Sequence, residues 1–253
     1  MTNRDPALLV RDDLIAAFGL LSRLPLPTSA VAPDPRAAWA WPLVGAVTGA
    51  LAALAASVAL ALSLPAGVAA GVGLMTGALL TGGLHEDGLA DTADGLFGAS
   101  TRERRLAIMK DSRIGSYGTL ALLLITLMRW SAVTALVMIE QHWAGLIAAG
   151  ALSRAPMAVL IAALPNARGT GLSHLTGIPP RGAVMAALAI GAVVAFLCTG
   201  LTVLPMALAA AATTGLIARA AQRRIGGQTG DILGAAQQLA EVAALSFAAA
   251  HLG

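Results

Sequence analysis

Residues 82–98, Gly-Gly-Leu-His-Glu-Asp-Gly-Leu-Ala-Asp-Thr-Ala-Asp-Gly-Leu-Phe-Gly, place four acids, Glu86, Asp87, Asp91 and Asp94, within nine positions. On a helix, Asp87, Asp91 and Asp94 stand at i, i+4 and i+7 and share one stripe. Like charges at i,i+4 repel, so a cation belongs among them. Hard oxygen donors at this density suit Mg²⁺, which binds through one or two carboxylates and substrate phosphates. Glu86 adds a fourth carboxylate to this candidate metal set, and His85 borders it as a cap or hydrogen-bonding neighbour. A solvated acidic face is the bland alternative, but a chain so poor in charge has little reason to group four acids. Downstream, Lys110 and Arg113 fall at i,i+3 on an expected short helix. They could hold phosphate oxygens or simply form a basic membrane-surface face. Asp94 and Asp111 are the candidate general bases for an attacking hydroxyl, and the sequence does not separate them. Residues 226–231, Gly-Gly-Gln-Thr-Gly-Asp, open another helix whose free N–H groups suit an anion. Thr229 and Asp231 are read as substrate-binding there. Arg129 and Arg154 lie mid-span, where a charge is expensive and usually faces a bundle interior. Each is read either as phosphate-facing or as a structural ion pair, for example with Glu241.

The elements that must carry these groups are membrane helices. Of 253 residues, 57% are hydrophobic and 11% charged, against about 25% charged in a soluble domain, and the mean hydropathy is +0.79. Long Ala-, Leu-, Val- and Gly-rich runs exclude a membrane β-barrel, whose segments alternate over about ten residues. The fold class is therefore all-α: a polytopic helical bundle, one catalytic domain over 1–253. Aromatics make up 4%, so the helices should pack through small residues. The one cysteine, Cys198, allows no intrachain disulfide, and the N-terminus does not read as a cleavable signal peptide. Residues 7–24 read as an interfacial amphipathic helix with Leu8, Leu9, Ile15, Phe18 and Leu21 on its apolar side; prolines follow, then a polar loop at 28–38. Spans are expected at about 39–63, 65–84, 117–139, 144–164, 182–203 and 205–221. A seventh, 232–252, is apolar enough despite Glu241, each run being near the roughly 20 residues a bilayer needs.

Alternating these spans puts the segments before 39 and those at 85–116, 165–181 and 219–231 on one side. Together they hold fourteen of the sixteen Lys and Arg residues. The positive-inside rule makes that face cytoplasmic, with the acidic motif on it. The basic excess is thus an orientation signal, and no nucleic acid is expected.

Three readings of the constellation compete. One is a phosphoryl or nucleotidyl-phosphate transferase acting on a diphosphate. The CDP-alcohol phosphotransferases begin Asp-x-x-Asp-Gly-x-x-Ala-Arg, but Asp91-Thr-Ala-Asp94-Gly-Leu-Phe-Gly matches only the opening. A prenyl-diphosphate enzyme of the Asp-Asp-x-x-Asp kind would need a spacing one residue shorter. A cation-coupled transporter would place its acids at mid-membrane.

The run 82–98 resembles the signature of the cobalamin synthase family, the adenosylcobinamide-GDP ribazoletransferases. The likeness continues through Arg104 to Gly118. It includes Arg23-Leu-Pro-Leu-Pro27, Trp41-Pro-Leu-Val-Gly45, Ser153-Arg154 and Gly227-Gln-Thr-Gly-Asp-Ile-Leu-Gly-Ala235, in the family's order. Glu86 departs from it, standing where an apolar residue is expected. The resemblance implies an inner-membrane, Mg²⁺-dependent enzyme. The ribose 3′-hydroxyl of α-ribazole or its 5′-phosphate attacks the phosphorus of adenosylcobinamide-GDP nearer the cobinamide. GMP leaves, and adenosylcobalamin or its 5′-phosphate forms. Membrane lipid is the expected surrounding; a homo-oligomer, or a complex with other cobalamin-assembly enzymes, stays open.

Overall fold

The computed structural model describes residues 6–26 and 33–253. Arg4, the loop at 28–32, and the side chains of Leu8 and Leu9 lie outside them. The described residues form eleven helices: α1 (Pro6–Leu21), α2 (Trp41–Ala61), α3 (Ala66–Thr81), α4 (Leu84–Phe97), α5 (Arg102–Ile108), α6 (Ser116–Met138), α7 (His142–Ala163), α8 (Leu172–Thr176), α9 (Arg181–Thr199), α10 (Val203–Ile225) and α11 (Gly230–His251). No strand occurs among them beyond one isolated bridge, Asn166 to Gln228.

Five helical stretches are long and apolar enough to cross a membrane, six when α3 and α4 are taken as one bent pair. One of the five, 181–225, is 45 residues long and breaks at Gly200, whose φ of +56° ends α9. Gly177, just before α9, packs on Pro35, and Ile225 at the end of α10 accepts from Arg102. Helices α9 and α10 fall on the expected spans at 182–203 and 205–221.

The expected second span is helix α3. Gly82 and Gly83 after it have φ of +66° and +69°, a left-handed conformation that costs residues with a Cβ about 1–2 kcal/mol each. They turn α4, which carries the acidic motif, by 87° from α3.

Small residues set the packing, as the low aromatic content predicts. Gly45 and Gly49 on α2 lie directly against the Gly150 and Leu146 carbonyls of α7, leaving no room for a Cβ. The N-terminal helix docks on protein. Ala16, Ala17 and Leu21 are buried against the turn at 35–40 and α2. Trp39 donates to Asp13 at 2.8 Å, and the Arg23 N–H donates to Leu80 O at 2.7 Å.

On the polar face, guanidinium groups collect the free carbonyls of helix ends and loops. Arg102 donates to Ile225 O at 2.8 Å and to Ala167 O at 2.7 Å. Arg105 donates to Arg224 O at 3.1 Å, and Arg224 to Leu96 O at 2.7 Å. These bonds tie the segments around 96–105, 167 and 224 into one surface, the grouping that span alternation predicts.

Candidate active site

Two glycines place the acids. A Cβ on Gly88 would lie 2.9 Å from Asp231 O and 3.1 Å from the Gly234 Cα. Helices α4 and α11 therefore meet backbone to backbone, which only glycine permits. This contact carries Asp87, exposed, and Asp91, half-buried, to Asp231 at the start of α11. Asp87 and Asp231 each bear electrostatically on Asp91, with Arg168 as the opposing charge. Arg168 pairs with Asp231 at 2.7 Å. It is held there because the segment at 165–167 zips onto Gln228. The Gln228 N–H donates to Pro165 O and the Ala167 N–H to Gln228 O, both at 2.8 Å. Thr229 caps α11, accepting from the Ile232 N–H at 3.3 Å and donating to Asp231 Oδ2 at 3.3 Å.

Asp94 leaves the metal set drawn from the sequence. It shares the stripe of Asp87, but seven residues separate them by about 10 Å along the axis. Both of its oxygens are used at the start of α6. Oδ2 accepts from the Gly115 N–H at 2.7 Å and Oδ1 from the Gly118 N–H at 2.9 Å. Two of the four N–H groups that a helix start leaves free are thus satisfied by a buried carboxylate from another helix. Any Cβ at Gly115 or Gly118 would collide with it.

Glu86, rotated by about 100° one residue along the helix, still borders the recess of Asp87 and Asp91 but points Oε1 into the bundle. It accepts from Arg129 and from Gln238, each at 3.1 Å. Arg129 further donates to Gln238 at 2.8 Å and to Glu241 at 2.6 Å. Gln237 bonds both Glu241 and Ser153. This network fills the middle of the bundle. Arg154, read as phosphate-facing or as part of a structural ion pair, belongs to this network. It is 3% exposed, donates to Gly150 O at 3.2 Å, and faces Glu86, Arg129 and Glu241 across a cavity of about 30 Å³.

Lys110 and Arg113 are not on a helix. Helix α5 ends at Ile108, and Asp111 folds the next turn by accepting the Arg113 N–H at 3.1 Å. A local side-chain bond of this kind competes with helical continuation. Asp111 also binds the Arg113 guanidinium at 2.7 Å, which holds its carboxyl down to about 2. That makes it a feeble proton acceptor. Lys110 lines an open recess with Asp87, Asp91, Asp111 and Ser112.

Among the described residues no three His, Cys, Asp or Glu side chains converge as a closed metal cage. Asp87 and Asp91, one turn apart above an open recess, nonetheless fit Mg²⁺, which needs few protein ligands and takes water and phosphate for the rest. The residues that sequence reasoning missed are Arg168, Gln237 and Gln238. Arg168 stood out only as one more loop cation. The glutamines, four and three residues before Glu241, carried the signal of polar side chains in an otherwise apolar span.

A family profile described as Cobalamin-5-phosphate synthase matches residues 13–249. Similar proteins named adenosylcobinamide-GDP ribazoletransferase occur in Bradyrhizobium diazoefficiens, Azorhizobium caulinodans and Brucella anthropi. The first is 45% identical over 242 residues, covering 94% of this chain and 93% of the relative. The second is 44% identical over 247 residues, covering 92% and 93%. The third is 43% identical over 250 residues, covering 92% and 95%. No solved structure matches the sequence.

Proposed function

This chain belongs to the cobalamin-5-phosphate synthase family and is a transferase of cobalamin biosynthesis, and from that premise we propose how its polar face does the work. The reaction is transfer of the adenosylcobinamide-phosphate group from adenosylcobinamide-GDP to the 3′-hydroxyl of α-ribazole or its 5′-phosphate. The ribose oxygen bonds to the phosphorus nearer the cobinamide, the bond from that phosphorus to the bridging oxygen breaks, and GMP carries the bridging oxygen away. The observation that carries this reading is the glycine contact that gathers Asp87, Asp91 and Asp231 on the face where the basic segments converge.

Asp87 and Asp91 would hold Mg²⁺, which when bound offsets charge on the diphosphate and on departing GMP. Lys110, on the rim of the same recess, takes non-bridging phosphate oxygens as a mobile point charge. Asp231 is oriented by Arg168 and Thr229 and receives the proton of the attacking hydroxyl. Asp94 acts at one remove, fixing the start of α6 beside the site. The reacting face lies toward the cytoplasm of a bacterial inner membrane, as the distribution of Lys and Arg supports.

The test follows GMP release from adenosylcobinamide-GDP by the detergent-solubilised chain, with and without α-ribazole and Mg²⁺. Release that requires both is the expected result. CMP release from a lipid donor would instead mark a CDP-alcohol enzyme, and no bond cleavage at all would mark a transporter.

A further inference from the structure

A cavity of about 210 Å³, open on one side, lies beside the acidic cluster, between α1, α2, α4, α7, α8 and α11. One wall is aliphatic, with Leu20, Leu84, Met157, Ile161 and Leu233; the opposite side brings the Thr170, Ser173 and Thr176 hydroxyls, and Asp87, Arg168 and Asp231 also line it. Among the described residues, two buried polar atoms on its lining have no hydrogen-bond partner. They are Trp41 Nε1, on a side chain 2% exposed, and His85 Nε2, on one 1% exposed. A buried donor left without a partner costs about 1–3 kcal/mol, so such groups mark a place where something binds. An apolar cavity of about 150 Å³ accepts a single benzene ring. This one has room for a fused two-ring system.

We infer that this cavity is the subsite for the aromatic base of the acceptor nucleoside, α-ribazole, with the Trp41 indole N–H donating to its one free ring nitrogen. The inference rests on the reaction proposed above and adds where the acceptor sits. Of the two bases that reaction brings together, guanine presents several donors and acceptors around its edge. Groups turned to the Leu20, Leu84, Met157, Ile161 and Leu233 wall would be stranded, at the cost just given for each. A benzimidazole joined to its sugar through one nitrogen presents a single in-plane acceptor and otherwise apolar edges. The unpartnered Trp41 N–H beside that aliphatic wall matches that pattern, and the hydroxyls on the other side are left for the sugar. His85 Nε2 is left for a sugar hydroxyl, which can donate or accept. The sugar then emerges at the rim, beside Asp231. Asp87 lines both this cavity and the recess that holds Asp91 and Lys110, so the acceptor oxygen and the diphosphate meet across one side chain.

The experiment measures α-ribazole binding to the full-length solubilised chain without donor, by quenching of tryptophan fluorescence and by equilibrium dialysis, and then KM for each substrate. Trp41→Phe deletes the N–H together with the pyrrole ring that carries it and keeps a smaller aromatic ring; because it also removes the reporting indole, its binding is read by equilibrium dialysis. Gly230→Leu adds a side chain on the cavity lining at a position where a Cβ meets nothing within 4 Å. Trp41→Phe should weaken α-ribazole binding about tenfold, the equivalent of about 1.4 kcal/mol, and raise its KM to match. Gly230→Leu should abolish that binding. Binding of GDP should be unchanged in both. Unaltered α-ribazole binding in Gly230→Leu, or loss of GDP binding in its place, overturns the assignment. Because binding is read without turnover, a wild-type chain that binds α-ribazole yet releases no GMP would defeat the proposed reaction while leaving the subsite standing.

Discussion

Replacing Asp94 with alanine should unfold the protein more readily instead of disabling its chemistry. The side chain is buried, and it accepts the Gly115 and Gly118 N–H groups at 2.7 and 2.9 Å. Hydrogen bonds to a charged group contribute about 1.5–3 kcal/mol each. The negative charge at a helix start adds up to about 2 kcal/mol in a partly buried setting. Water can reach the α6 start once the carboxylate is gone and recovers part of this, so a net loss of about 2–4 kcal/mol is expected. Gly118→Ala supplies the control, because its Cβ would displace the same carboxylate without removing any ionisable group. The two variants should lose similar stability, and the double variant should lose little more, since both break one contact. Reversible unfolding in mixed detergent micelles measures stability, and GMP release per folded molecule measures chemistry. If Asp94→Ala keeps full stability and loses all turnover while Gly118→Ala is silent, Asp94 is a reacting group and the capping argument is wrong.

Asp91→Asn should lower GMP release by about 10²–10³-fold, the range for losing one well-placed electrostatic group, while stability holds or rises because one of three mutually repelling carboxylates is neutralised. Normal half-saturation by Mg²⁺ in that variant would remove Asp91 from the metal set, and chelation followed by Mg²⁺ addition should abolish and restore wild-type release. Asp111 has its carboxyl lowered by Arg113 to about 2; any stability it contributes is present above the unfolded value of about 3.9 and is lost only as pH falls through about 2. Asp111→Asn should therefore leave the acid limb of the rate profile between pH 5 and 8 unmoved, and a shifted limb would restore Asp111 as the base. Arg129→Met strands Glu241 and Glu86 without their cation and should cost about 3–5 kcal/mol. Adding Glu241→Gln should recover part of the loss, and a single-variant cost under about 1 kcal/mol would mean that the network is not paired as described.

The apolar helices, the polar face and the helical run of acids were legible in the sequence, because each depends on quantities local to the chain. Hydropathy over about 20 residues sets a span, Lys and Arg counts set its orientation, and 3.6-residue periodicity sets which acids share a stripe. Those rules are silent about depth and about neighbours. Asp87 and Asp94 are equivalent by angle, yet one turns to an open recess and the other to the start of α6, because about 10 Å of axial rise separates them. Glu86 looked like a fourth ligand until Arg129 and Gln238, 43 and 152 residues distant in the chain, claimed its oxygen. The Gly82–Gly83 bend was visible as two glycines, but its 87° turn comes from left-handed backbone at both. The Gly88–Gly234 contact and the bridge that brings Arg168 to Asp231 join segments more than 50 residues apart. Such pairings are chosen by which helix faces fit at backbone distance, a property of two surfaces together and of neither sequence segment alone.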